Sequence, residues 1–192
     1  MARPSNPEIR TQLRERAIDY VLQHGFAAVS LRPMAKELKT NARMLVYHFG
    51  SREGLMREIL TGLRERENVV IHRWFQKKKT PPSLTEFVLW YWKRLSVPAA
   101  RTAALLIFEL YALALRDPKS YPGVLTDPLA YWRGLAANTR VRTKIDAEAT
   151  LLLAATRGLL LDVTATGDRV RVNKAVRLLA DCMSKKHAPG AQ

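Results

Sequence analysis

The sequence predicts an all-α protein. Apolar residues recur at spacings of three and four, caps and stops punctuate the chain at short intervals, and no stretch alternates with the period of a strand. The punctuation separates a three-helix N-terminal region, residues 1–52, from a larger helical region, residues 53–192. A hydrophobic share of 47% in 192 residues is enough to bury a core without covalent staples. The single cysteine, Cys182, permits no internal disulfide, and no Cys/His cluster has zinc-ligand spacing, so no cofactor is expected and a reducing cytoplasm suits the chain.

The first helix is expected to start at Asn6-Pro7-Glu8, where a capping side chain, a proline at the first helical position and an acid all suit the positive end of a helix dipole. Ile9, Leu13, Ala17, Tyr20 and Val21 form its apolar face, and Gly25 supplies a left-handed stop after His24. Ser30 is placed to cap a second helix that buries Met34, Ala35 and Leu38. Asn41 caps a third, running from Ala42 to about Phe49 and closed by Gly50. Ser51 caps a fourth, with Glu53 in its first turn and Leu55, Met56, Ile59, Leu60 and Leu63 as its stripe. Further breaks are expected at Lys77-Lys78-Lys79, at Pro98, at Asp117-Pro118 and at Gly167-Asp168, with a capping box from Ser83 to Glu86.

Two short helices joined by a tight turn describe a helix-turn-helix, whose second helix fits the major groove and presents its first residues to base edges. The predicted DNA-facing set is Ser30, Arg32, Thr40, Asn41, Ala42, Arg43, Met44, Tyr47, His48 and Arg52. It combines hydrogen-bonding groups, an arginine able to pair with guanine, and aromatics able to lie against the sugar-phosphate chain. Phe49 is expected in the core, and His48 is open to either a phosphate contact or a structural hydrogen bond. Net charge of +15 with a pI near 10.4 suits a polyanionic partner. That charge is spread evenly, with 16 Lys/Arg against 8 Asp/Glu in residues 1–80 and 16 against 9 in the remainder, so the motif carries the argument.

The stretches Ser30-Leu31-Arg32-Pro33-Met34-Ala35-Lys36-Glu37-Leu38 and Leu45-Val46-Tyr47-His48-Phe49-Gly50-Ser51-Arg52-Glu53-Gly54-Leu55 resemble the DNA-binding segment of the TetR family, over about residues 10 to 60. The resemblance implies a helical homodimer that represses transcription from operator DNA until a small molecule binds its C-terminal half. Lys39 stands where the family usually has a turn glycine. The family's usual tyrosine, three residues before the phenylalanine, is Val46 here, so its phosphate contact does not carry over.

Beyond residue 53 the chain is expected to form the ligand-binding and dimerisation domain. Helices over about 146–166 and 169–185 are expected to pair with their copies through Leu153, Leu160, Val172, Val176 and Leu179. A mostly apolar effector is expected among Trp90, Phe108, Tyr111 and Trp132, with Glu109 or Asp162 meeting its polar group. Both carboxylates lie in apolar runs and need a cation, hydrogen bonds or water. Structural pairing is the first reading for each, and Arg157 is a candidate partner for Glu109.

Other classes of function find little support. The four histidines are scattered, Cys182 has no base near it in sequence, and no Gly-rich phosphate loop or metal-ligand spacing occurs, so no enzyme is expected. The longest apolar stretch, Thr102 to Leu115, is too short for a bilayer and contains Glu109, so no membrane partner is expected.

Overall fold

The computed structural model describes residues 7–121, 123–125 and 145–186. They form α1 (Pro7–His24), α2 (Leu31–Glu37), α3 (Ala42–Phe49), α4 (Arg52–Gln76), α5 (Leu84–Leu95), a 3-10 turn (Pro98–Ala100), α6 (Arg101–Arg116), α7 (Ile145–Thr166) and α8 (Arg169–Lys186). No strand occurs among the described residues. The fold is all-α, and the expected breaks are where these helices end. Asn6, expected to cap α1, lies outside the described residues.

The helices gather into two compact units. One comprises the chain up to Arg73 together with Leu106–Leu125; the other comprises Trp74–Leu105 and the described residues of α7 and α8. In the first unit, α1 buries Leu13, Ala17, Ile18, Tyr20 and Val21 against Met34, Ala35 and Leu38 of the α2 segment, Leu45 and Phe49 of α3, and Leu55, Met56, Ile59 and Leu60 of α4. Ile9, placed on the buried face by its spacing, is 44% exposed, while Ile18 is fully buried. The second half of α6 adds Ala114, and the following turn adds Tyr121 and Val124, to the same core.

The α3–α4 corner depends on a missing side chain. Ser51 Oγ accepts from Gly54 N–H at 3.1 Å to start α4, and a Cβ on Gly54 would collide with the backbone carbonyl of Phe49.

In the second unit, α5 packs on α7 and α8. Phe87, Val88 and Trp92 of α5 are buried, as are Leu152 and Leu160 of α7 and Val172, Val176 and Ala180 of α8. Trp92 Nε1 donates to Asn173 Oδ1 at 2.7 Å, fixing the register of α5 on α8. The capping box forms as expected: Ser83 Oγ accepts from Glu86 N–H at 3.1 Å and Glu86 Oε2 accepts from Ser83 N–H at 2.8 Å.

Pro98–Arg116 and Ala149–Thr166 have the length and apolarity of membrane spans, so the apolar stretch around Glu109 is longer than the sequence reading allowed. Each carries ionisable residues well inside it, Glu109 in one and Arg157 with Asp162 in the other, and neither indicates a membrane protein.

Candidate nucleic-acid interface

The turn between α2 and α3 is a closed hydrogen-bonded motif. Thr40 N–H donates to Ala35 O at 2.9 Å and Lys39 N–H to Lys36 O at 3.1 Å, the paired bonds that end a helix through a left-handed residue. That residue is Lys39, at φ +54°, where the resemblance expects glycine. The geometry is therefore kept without the glycine, at a backbone cost of roughly 1–2 kcal/mol for an L-residue. Asn41 then caps α3 as expected, its side-chain oxygen accepting from Met44 N–H at 2.9 Å. Ser30 has the extended backbone of a cap, but its hydroxyl makes no capping bond to α2.

One face of α3 is turned to solvent. Arg43, Val46 and Tyr47 are exposed along it at helical spacing, while Leu45, His48 and Phe49 are buried. Ser30, Arg32 and Asn41 are also exposed, and Thr40, Ala42 and Met44 are half-buried. Val46, 41% exposed, was missed by sequence reasoning, although its position three residues after Arg43 puts it on the same stripe. An exposed aliphatic group there has the chemistry to meet a thymine methyl.

Two members of the sequence-derived set face inward. His48 is 9% exposed, with both ring nitrogens shielded from solvent and without a hydrogen-bond partner among the described residues, so it presents neither nitrogen to a phosphate. The apolar run Leu45-Phe49 carries it into the core. Arg52 is also committed: its Nε donates to Val29 O at 3.0 Å, its Nη2 to Tyr121 Oη at 3.4 Å, and the guanidinium lies 5.8 Å from the Tyr121 ring centroid. It ties the loop before α2 to the turn after α6.

Several arginines of α1 and α4 are paired with carboxylates. Arg10 and Arg14 both reach Glu58, at 2.6 and 3.5 Å, Arg14 also reaches Glu65, and Arg66 binds Glu15 and Asp19. The Glu15 bond, and then Asp19, hold the Arg66 guanidinium above its usual range. By contrast, Arg32, Lys36, Lys39 and Arg43 make no ion pair among the described residues. The positive charge left over in this unit therefore includes the helix-turn-helix surface.

Glu109 of α6 contributes to the same unit. Its two carboxylate oxygens accept from Phe26 N–H at 2.9 Å and Ala27 N–H at 3.0 Å. Gly25, at φ +87°, leaves room, since a Cβ there would come within 2.9 Å of Glu109 Oε2. The carboxylate that the sequence offered to a ligand or to Arg157 is thus bound by the backbone between α1 and α2. Asp162 is paired too: Arg171 Nη2 and Nη1 donate to its oxygens at 2.6 and 2.8 Å, and this pairing holds its carboxyl below the usual range.

The other ligand-site candidates divide. Tyr111 packs against the first unit's core, and Phe108 is half-buried in the same unit. Trp90 belongs to the second unit, where it stacks on Trp74 at 4.6 Å between centroids beside Phe87 and Tyr91. Trp132 lies outside the described residues.

Comparison with known proteins agrees with this geometry. Residues 13–59 match the family model of bacterial regulatory proteins, tetR family. The multidrug binding protein EbrR, solved with imidazole, is 27% identical, with a TM-score of 0.68 over 94% of this chain and 93% of its own. A transcriptional regulator from Streptomyces coelicolor A3(2), SCO7518, has a TM-score of 0.70 at 22% identity, over 91% of this chain and 99% of that one. GusR of Salmonella enterica has a TM-score of 0.61 at 22% identity, over 93% and 97%. No curated protein sequence matches. The helix-turn-helix, the matched segment and the likeness to EbrR together identify the chain as a member of the TetR family of DNA-binding transcription regulators.

Proposed function

We propose that this regulator is a cytoplasmic homodimer that represses transcription from a near-palindromic operator and releases it when a small, mostly apolar effector binds. The carrying observation is the exposed α3 stripe of Arg43, Val46 and Tyr47 beside Arg32, Lys36 and Lys39, which make no ion pair among the described residues. Arg43 supplies base pairing, Tyr47 and the half-buried Thr40, Ala42 and Met44 supply contacts along the groove, and Ser30 and Arg32 supply phosphate contacts. Asn41, its oxygen used for capping, keeps its amide donors for DNA.

For the dimer, Leu160, Val172 and Val176 are consumed by their own unit and Leu153 and Leu179 are half-buried. The stripe that favours a partner copy is instead Leu151, Leu161, Val170 and Leu178, at 52%, 52%, 71% and 66% exposure. Effector response draws support from EbrR, described as a multidrug binding protein. In this reading the region from residue 53 onward forms the sensing and dimerising part, and residues 1–52 the reading part.

Selection from a genomic library followed by footprinting should return paired protected half-sites about one helical turn, or a multiple, apart. Arg43→Ala should cost roughly 1–3 kcal/mol on the selected site and less on random DNA. Binding with equal affinity to every sequence would reject the operator reading.

A further inference from the structure

We infer that the second unit holds a binding site for a small organic carboxylate with an apolar body, in a cleft formed by the end of α5, the 3-10 turn, the start of α6 and the α7–α8 turn. The cleft encloses about 240 Å³. Its apolar surface comes from residues such as Leu95, Pro98, Ala104 and Val163, and two arginines, Arg101 and Arg169, are among the residues that line it. Ala104 and Val163 are buried, so the cleft runs from charged rim to apolar floor.

The charge balance around it is uneven. Arg171 takes both nearby carboxylates, Asp162 at 2.6 Å and Asp168 at 3.3 Å. Arg101 and Arg169 have no carboxylate partner among the described residues, and Arg101 reaches only the carbonyl of Thr164, at 3.5 Å, from α6 towards α7. No acidic residue lines the cleft. A neutral apolar ligand would draw nothing from the two arginines, and an inorganic anion would leave the apolar floor wet. A molecule carrying both features satisfies both surfaces, because guanidinium pairs with carboxylate through charge-assisted, directional bonds while the body leaves water. The volume lies below the roughly 300 Å³ at which pockets for drug-sized ligands begin, which selects a single ring or a short chain. None of the cleft residues was among those nominated from the sequence, and occupancy does not require that the chain release DNA.

Calorimetric titration of the full chain with benzoate, with its neutral analogue benzamide, and with inorganic phosphate tests the site. Benzoate should bind saturably, benzamide at least roughly tenfold more weakly, and phosphate should not displace benzoate at equal concentration. Arg101→Gln and Arg169→Gln, both on exposed or half-exposed side chains, should each weaken benzoate about tenfold. Lys93→Gln, exposed on α5 outside the cleft, should not. Equal affinity for benzoate and benzamide, displacement by phosphate, indifference to both arginine substitutions, or no benzoate binding up to about 10 mM would each overturn the assignment.

Discussion

The two units hold themselves together in different ways. In the first, long side chains are tied to particular backbone positions: Arg16 to Leu38 O, Arg52 to Val29 O, Arg14 to Glu58 O and Glu109 to the amides of Phe26 and Ala27. Each bond links helices or loops distant in sequence, so the helix-turn-helix is held by several separate fastenings. In the second unit the side-chain bonds between helices include Arg171 to Asp162, Trp92 to Asn173, Thr85 to Ala180 O and Arg101 to Thr164 O, most of them involving α7 or α8. The remainder is apolar and aromatic packing, with leucines left exposed on α7 and α8. On the proposed function, a DNA-reading surface needs a fixed shape to match the grooves, whereas a region that senses and pairs would gain from surfaces that a ligand or a second copy can complete.

That contrast can be broken at its weakest point first. The double variant Leu161→Glu/Leu178→Glu should turn the proposed dimer into a monomer at micromolar concentration, because two charges would be buried against apolar surface. Light scattering should report the monomer, and circular dichroism an unchanged helix content. A dimer that survives would move the pairing surface elsewhere. Within the first unit, Gly54→Ala should cost roughly 2–3 kcal/mol in urea denaturation, since its Cβ has only the rigid Phe49 carbonyl to displace. Gly158→Ala, with open space around it on α7, is the matched control and should be neutral or slightly stabilising.

Smaller effects sharpen the comparison. Glu109→Gln should lose roughly 1–2 kcal/mol, because a neutral amide offers one oxygen where the carboxylate serves two backbone donors. The loss should appear in urea midpoints even without DNA, which a purely ligand-facing glutamate would not produce. Lys39→Gly should gain about 0.5–1 kcal/mol of stability by relieving the left-handed lysine, while weakening DNA binding through the lost cation.

Most helix limits were legible from the sequence because caps and stops are local chemistry. Gly25, Asn41, Ser83 with Glu86, and Gly167 all act where their side chains, or lack of one, demand. Lys39 shows that a turn can be kept by its surrounding hydrogen bonds when the preferred residue is absent. The exposed face of α3 was legible in part. Arg43 and Tyr47 are exposed as expected, but the inward turn of His48 and the capture of Arg52 by Tyr121, 69 residues away, depend on which helices pack together. Glu109 was rightly marked as a carboxylate needing a partner, yet its partners are backbone amides 82 and 83 residues away, which no side-chain pattern announces. Leu160, Val172 and Val176 were assigned to a partner copy because periodicity finds an apolar stripe without saying which neighbour covers it.

The separation of paired from unpaired cations in the first unit also sets how operator binding should respond to salt. Arginines already neutralised by Glu15, Asp19, Glu58 and Glu65 hold few condensed anions of their own and displace few phosphate counterions. The displaceable set on the helix-turn-helix is Arg32, Lys36, Lys39 and Arg43, four per protomer. With Arg43 on a base edge, six of these cations remain for phosphates in a dimer, and if all six meet them the logarithm of affinity falls with the logarithm of salt at a slope of about −5. A formal charge of +15 on each chain would suggest a far steeper dependence, so ionic strength measures the exposed reading surface and leaves the rest of the protein's charge uncounted.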